Sequence, residues 1–155
     1  MTAITKMHET KPGRSPETVK IGEAAVRLAT SVHAIRRYER EGLLIPLRSS
    51  AGTRWYAPED VEWIKAIRNL LEDGLNFAGI RRLVAQIPCW ALRPCTQEER
   101  ERCPMALAAT APCWSAPERV CPEELQDCYH CPAYRRARDF VNLKTVAEIV
   151  PLQLS

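Results

Sequence analysis

Polar and apolar positions take up a helical period at Ile21, where Ile21, Ala24, Ala25 and Leu28 share one face of IGEAAVRLA. Thr30 and Ser31 follow as a turn and a hydroxyl N-cap before VHAIRRYEREGLL. In that second helix Ile35 turns inward while His33, Arg36 and Arg37 point out, and Gly42 is placed to end it in a left-handed conformation. Two short helices across a tight polar turn make a helix-turn-helix pattern. LLIPL and TRWY then flank SSAG, which predicts a small two-stranded hairpin or wing. Pro58-Glu59-Asp60 starts a third helix with an apolar stripe of Val61, Ile64, Ile67, Leu70 and Leu71. Gly74 ends it. A fourth helix begins near Asn76, with Phe77, Ile80, Leu83 and Val84 buried and Arg81 and Arg82 solvated.

Beyond Pro88 the periodicity stops. Residues 88–135 are rich in Pro and Cys, and short helices are expected only at TQEERER and PEELQD, whose acidic starts suit the helix dipole. Such a segment buries too little apolar surface to hold a shape without a staple. RARDFVNLKTVAEIV regains a stripe through Phe140, Leu143, Val146 and Val150, as a closing helix that packs on the body or on a second subunit. The expected organisation is a disordered tail over 1–19, a winged helix-turn-helix over 20–87, a Cys-rich module over 88–135 and a C-terminal helix over 136–155 that could serve dimer contact. The expected fold class is mainly α, with the Cys-rich module stapled by a metal or cluster.

The chain of 155 residues carries a net charge of +3. The excess lies early: residues 1–20 hold four Lys/Arg against two Glu, whereas residues 87–155 hold eight against nine acids. That asymmetry turns the N-terminal part toward an anionic partner. No apolar run approaches the roughly 18 residues of a membrane span, and MTAITKMHETKPGRSPETVK lacks the apolar core of a secretory signal. The expectation is a cytoplasmic protein with no membrane partner. No Ser-His-Asp order, phosphate loop or paired catalytic carboxylates occur, and His8, His33 and His130 stand in unlike contexts, so no enzyme is expected.

The segment from Ile21 to Val84 resembles the mercury-resistance-regulator (MerR) family of DNA-binding proteins. The resemblance rests on IRRYEREGLL, the GTRWY wing, Asp60 and GLNFAGIRRL, in that order and spacing. It implies a homodimer on a two-fold promoter site, distorting an overlong spacer so that RNA polymerase can read both promoter elements. Two departures stand out. Trp55 replaces the second of two wing arginines, and Pro88 with the cysteines stands where a long dimerising helix begins in the family. Ser31 and His33, near the start of the recognition helix, can reach base edges. Arg36, Arg37 and Tyr38 can reach phosphate or, for arginine, guanine. Arg54 and Tyr56 would grip the flanking backbone, as wing arginines do in the resembled family. His33 fits a base contact or an inert surface equally, Tyr38 also fits a half-buried helix position, Trp55 packs under the wing, and Trp63 fits core or subunit interface.

All seven cysteines lie between Cys89 and Cys131, separated by five, seven, nine, seven, six and two residues. An odd number suits a closed set of disulfides poorly, and the density points to a shared prosthetic centre. The candidate ligands are Cys89, Cys95, Cys113, Cys121, Cys128 and Cys131, with Cys103 and His130 behind them. Cys128 and Cys131 alone have the CxxC bite. The order CW, second Cys, CP, CW, second Cys and CxxCxxY is similar to the bacterial two-CW domain. Three occupants compete: a 4Fe-4S iron–sulfur cluster on four thiolates, shielded by Trp90 and Trp114; zinc on Cys or His ligands; and haem on a Cys-Pro thiolate. The expectation is a transcription regulator whose iron–sulfur module senses redox state, oxygen or nitric oxide and alters promoter distortion. The alternative is a structural zinc module serving metal sensing or protein docking.

Overall fold

The computed structural model describes residues 17–93, 95–107, 110–117, 119, 121 and 127–138. Most of the expected tail, most of PEELQD, and the stripe from Phe140 to Val150 lie outside the described residues.

Strand β1 (Val19–Lys20) leads into α1 (Ile21–Arg27), and a turn with Ala29 at φ 49° connects α1 to α2 (Val32–Arg40). Ser31 Oγ accepts from Ala34 N at 3.0 Å and so fixes where α2 begins. Gly42, at φ 74°, ends it: Gly42 N–H bonds Glu39 O at 3.1 Å and Leu43 N–H bonds Tyr38 O at 3.0 Å, the paired bonds of a Schellman motif. The chain continues through β2 (Leu47–Arg48) and β3 (Arg54–Tyr56) to α3 (Pro58–Glu72) and α4 (Phe77–Val84).

The expected two-stranded wing is a three-stranded antiparallel sheet in the order β1-β3-β2, with Val19 opposite Tyr56 and Arg48 opposite Arg54. The extra strand is two residues long and joins directly to α1, so no alternation announces it. Helix α3 starts at Pro58, with the Asp60 carboxylate accepting from Ala57 N at 2.8 Å. It buries Ile64 and Ile67 as the stripe predicts, and Trp63 and Ala66 as well. Trp63 is core, its Nε1 donating to Leu43 O at 2.9 Å. In α4, capped by Asn76, Ile80 and Val84 are buried, but Phe77 and Leu83 are only half-buried. Arg81, expected in solvent, instead reaches the Glu41 carboxylate and ties α4 to the end of α2.

The Cys-rich segment forms short pieces: α5 (Cys89–Leu92), α6 (Gln97–Arg102), α7 (Pro104–Leu107), a 3-10 turn (Cys113–Ser115) and α8 (Pro132–Ala137). Helix α6 is the expected TQEERER helix, started by a Thr96–Glu99 capping box. These pieces do not stand apart. Trp114, Tyr129, Tyr134 and Ala137 join the core cluster that holds Ile35, Leu43, Trp63 and Ile67.

Candidate nucleic-acid face and cysteine centre

Helix α2 offers one exposed polar face. His33, Arg36 and Arg37 are exposed on it, with Ser31 exposed at its start. Arg37 Cζ lies 4.7 Å from the centroid of Phe77, which props the guanidinium up from α4. Arg48, also exposed, adds a cation on β2 that the sequence argument passed over. The pattern could have shown it, because Arg48 and Arg54 stand at equivalent places on the two wing strands.

Tyr38 and Tyr56 correct the expectation. Tyr38 is 5% exposed and packs on Phe77 with ring centroids 6.0 Å apart, and Tyr56 is fully buried beneath the wing. Tyr38 is turned onto Phe77 of α4 and Tyr56 onto Glu39 of α2, and both belong to the core cluster. Tyr56 OH donates to the Glu39 carboxylate, and Arg54 Nε donates to its other oxygen at 2.9 Å. Arg54 and Tyr56 therefore clamp the wing to the recognition helix. Burial, then the bond to Glu39, pushes the Tyr56 phenol far above its usual range.

The cysteines all carry free thiols; Cys103 is buried and the other six are half-buried. Burial first, and then negative charge on Cys89, Cys131, Cys121 and Cys128, pushes the Cys113 thiol up to about 12. Cys128, raised first by its own burial, responds in the same way to Cys121 and Cys131. Cys113 thus lies near Cys89 as well as Cys131, Cys121 and Cys128. Cys89, raised first by its own burial, also feels Cys103 and Cys95. Among the described residues, no three His, Cys, Asp or Glu side chains close on the point of a single ion. His130 is turned away to the Asp127 carboxylate at 2.5 Å and is more than half exposed.

Arg93 faces these sulfurs. It follows α5 directly, its N–H bonding Cys89 O at 3.0 Å, and its Nη1 donates to Cys121 Sγ at 3.0 Å. Burial opposes its charge, but Cys121, Cys95 and Cys131 outweigh that and raise its pKa. Sequence reasoning missed it, although Arg93 is the lone charge in the ten residues from Ile87 to Thr96.

Three ties fasten this centre to the head, each next to a cysteine. Trp114, after Cys113, donates from Nε1 to Gly42 O at 2.8 Å. Tyr129, after Cys128, donates to Asp60 Oδ2 at 2.8 Å. Tyr134, one helical turn past Cys131, accepts from Ile45 N at 2.8 Å. Arg138 Nη1 adds a contact to Asp60 Oδ1 at 3.1 Å and lies over the rings of Tyr129 and Tyr134. Asp60 is fully buried; burial raises its carboxyl pKa, while Ala57 N–H, Tyr129 and Arg138 act against the rise. Trp114 is held at this junction, and Trp90 lies under the Arg100 guanidinium at 4.3 Å.

Two helices across a tight turn, followed by a wing clamped to the second helix, define a winged helix-turn-helix. Residues 19–87 match the family described as MerR HTH family regulatory protein, and that segment is a MerR-family helix-turn-helix domain. The chain is similar to the HTH-type transcriptional regulator TnrA of Bacillus subtilis, 40% identical over 67 residues, covering 43% of this chain and 61% of that one. It is similar to the HTH-type transcriptional regulator GlnR of Bacillus anthracis, 34% identical over 71 residues, 46% of this chain and 55% of that one. The HTH-type transcriptional repressor CarH of Myxococcus xanthus is 34% identical over 71 residues, 45% of this chain and 24% of its own length. The chain thus spans less than two thirds of these relatives, whose names are those of regulators, not of enzymes. No solved structure matches the chain. Among the described residues no helix is long and apolar enough to cross a membrane.

Proposed function

We propose that this protein is a DNA-binding transcription regulator of the MerR type whose cysteine module holds an iron–sulfur cluster and passes the state of that cluster to the DNA-binding head. The observation that carries the reading is the placement of Trp114, Tyr129 and Tyr134: each lies beside a candidate ligand and ends on the head, at the close of α2, the start of α3 and the approach to the wing.

The donor set suits a cluster. Cys113 lies near Cys89, Cys121, Cys128 and Cys131, which together would supply the four thiolates that a cubane needs. Cys89 links these to Cys95 and Cys103. When bound, the cluster supplies reversible electron transfer and sensitivity to oxygen or nitric oxide. The chain's own residues do the rest. Arg36, Arg37 and Arg48 take phosphates or guanine edges while His33 and Ser31 approach bases. A change in how Cys113, Cys128 and Cys131 are held shifts Trp114, Tyr129 and Tyr134, and with them the angle between α2 and α3. A homodimer acting at a promoter with RNA polymerase would convert that angle into DNA distortion.

Iron and acid-labile sulfide analysis of protein isolated without oxygen, paired with chemical probing of promoter DNA, tests both halves. Iron and sulfide should be present, and base unstacking in the promoter should differ between loaded and stripped protein at equal occupancy. A colourless protein holding only zinc would establish the docking-module alternative. Unstacking that is the same in both states would remove the coupling.

A further inference from the structure

Arg93 is an expensive residue where it stands. It is 7% exposed, and its Nε and Nη2 are buried with no hydrogen-bond partner among the described residues. Only Nη1 is engaged, on Cys121 Sγ at 3.0 Å. A thiol is a weak acceptor. A buried guanidinium with two idle nitrogens costs several kcal/mol unless a strong anionic acceptor completes it. Glu99, the carboxylate that lies in its field, is half-buried and occupied with capping Thr96. What Arg93 does face is sulfur: Cys121 by contact, and Cys95 and Cys131 at longer range.

We propose that Arg93 is the positive counter-charge and N–H donor to the cysteine-held centre, orienting Cys121 by its hydrogen bond and holding up the potential at which the centre accepts an electron. This rests on the cluster reading above. Four thiolates around an iron–sulfur core leave a net anion, and the added electron makes it more negative, so a fixed cation beside the sulfurs favours the reduced form. No bond is made or broken in that step; one electron arrives from a one-electron donor, dithionite in the test. Arg93 acts through Cys121 and the field, and is a positioning residue. Lysine keeps the charge but loses the planar fork, so it should restore only part of the effect.

The test uses full-length protein reconstituted without oxygen from ferrous iron and sulfide, in three forms: unaltered, Arg93→Met and Arg93→Lys. Iron and sulfide content, the visible spectrum and a dithionite titration against redox dyes are read for each. At the unaltered protein's midpoint, Arg93→Met should raise the oxidised-to-reduced ratio about tenfold, about 59 mV downward for one electron, with Arg93→Lys in between. Loss of loading in Arg93→Met with loading kept in Arg93→Lys also supports the assignment. Two results overturn it: both variants loading at an unchanged midpoint, or both losing helical circular dichroism alike, which would make Arg93 a packing residue. Failure of the unaltered protein to take up iron and sulfide is a different outcome. It removes the cluster reading itself, and the assignment falls with it.

Discussion

The head and the cysteine module are held together by different means. From Ile21 to Val84 the chain is stabilised locally: periodic apolar residues, N-caps at Ser31 and Asn76, and left-handed glycines at 42 and 74 each enforce one helix limit. From Cys89 to Arg138 the helices are four to six residues long, too short to persist alone. What orders them is docking, through aromatic side chains that satisfy backbone and carboxylate groups of the head. The head supplies its own nucleus; the module borrows one.

The largest test of that contrast is Tyr134→Ala. Tyr134 is fully buried, meets Trp114 edge-on at 5.1 Å, and bonds both N–H and C=O of Ile45. The loss should be about 3–5 kcal/mol, read by urea unfolding as a single transition in which head and module melt together. Two separate transitions, with the head's midpoint unmoved, would show that the module does not lean on the head. Gly42→Ala comes next. At φ 74° a side chain is strained, and a Cβ there would stand 2.7 Å from Ser115 Cβ of the 3-10 turn. Left-handed strain costs about 1–2 kcal/mol and the clash adds to it. Truncating Ser115 to glycine should relieve only the clash, and a double-mutant cycle measures that share.

Ser31→Ala should cost about 1 kcal/mol through the lost cap, with the effect confined to the head and unaltered by a metal chelator. The smallest effect is alkaline. Tyr56 is raised first by burial and then by Glu39, so above pH ~10 the unfolded chain loses its phenolic proton before the folded chain does. The folded state then binds more protons, and stability falls as pH rises. Tyr38, Tyr129 and Tyr134 carry the same sign. Tyr56→Phe should make the decline shallower above pH ~10 and leave it unchanged at neutral pH, as equilibrium unfolding at stepped pH would show.

The head was legible because its signals are short-range. Ile35, Ile64 and Ile67 repeat at helical spacing, Gly42 and Gly74 punctuate, and Ser31 caps, all within a few residues of what they control. The polar face of α2 was legible by elimination from the same period, and His33, Arg36 and Arg37 are exposed on it. Tyr56 was misread, and Tyr38 was left open between two readings, because a tyrosine suits a phosphate contact and a core equally. Only the position of α4 and Glu39 settles which way the ring turns.

By itself the sequence determined the helix limits, the polar face of α2 and the confinement of every thiol to one segment, since each depends on neighbours along the chain. The tertiary structure alone decided that Asp60, far from the module in sequence, receives Tyr129 and Arg138, that Trp114 closes the end of α2, and that Arg93 is buried against sulfur. Those contacts join residues 28 to 78 positions apart, and no local period encodes a partner at that distance. They form because a buried charge or indole N–H must find an acceptor, and folding brings only certain ones within reach.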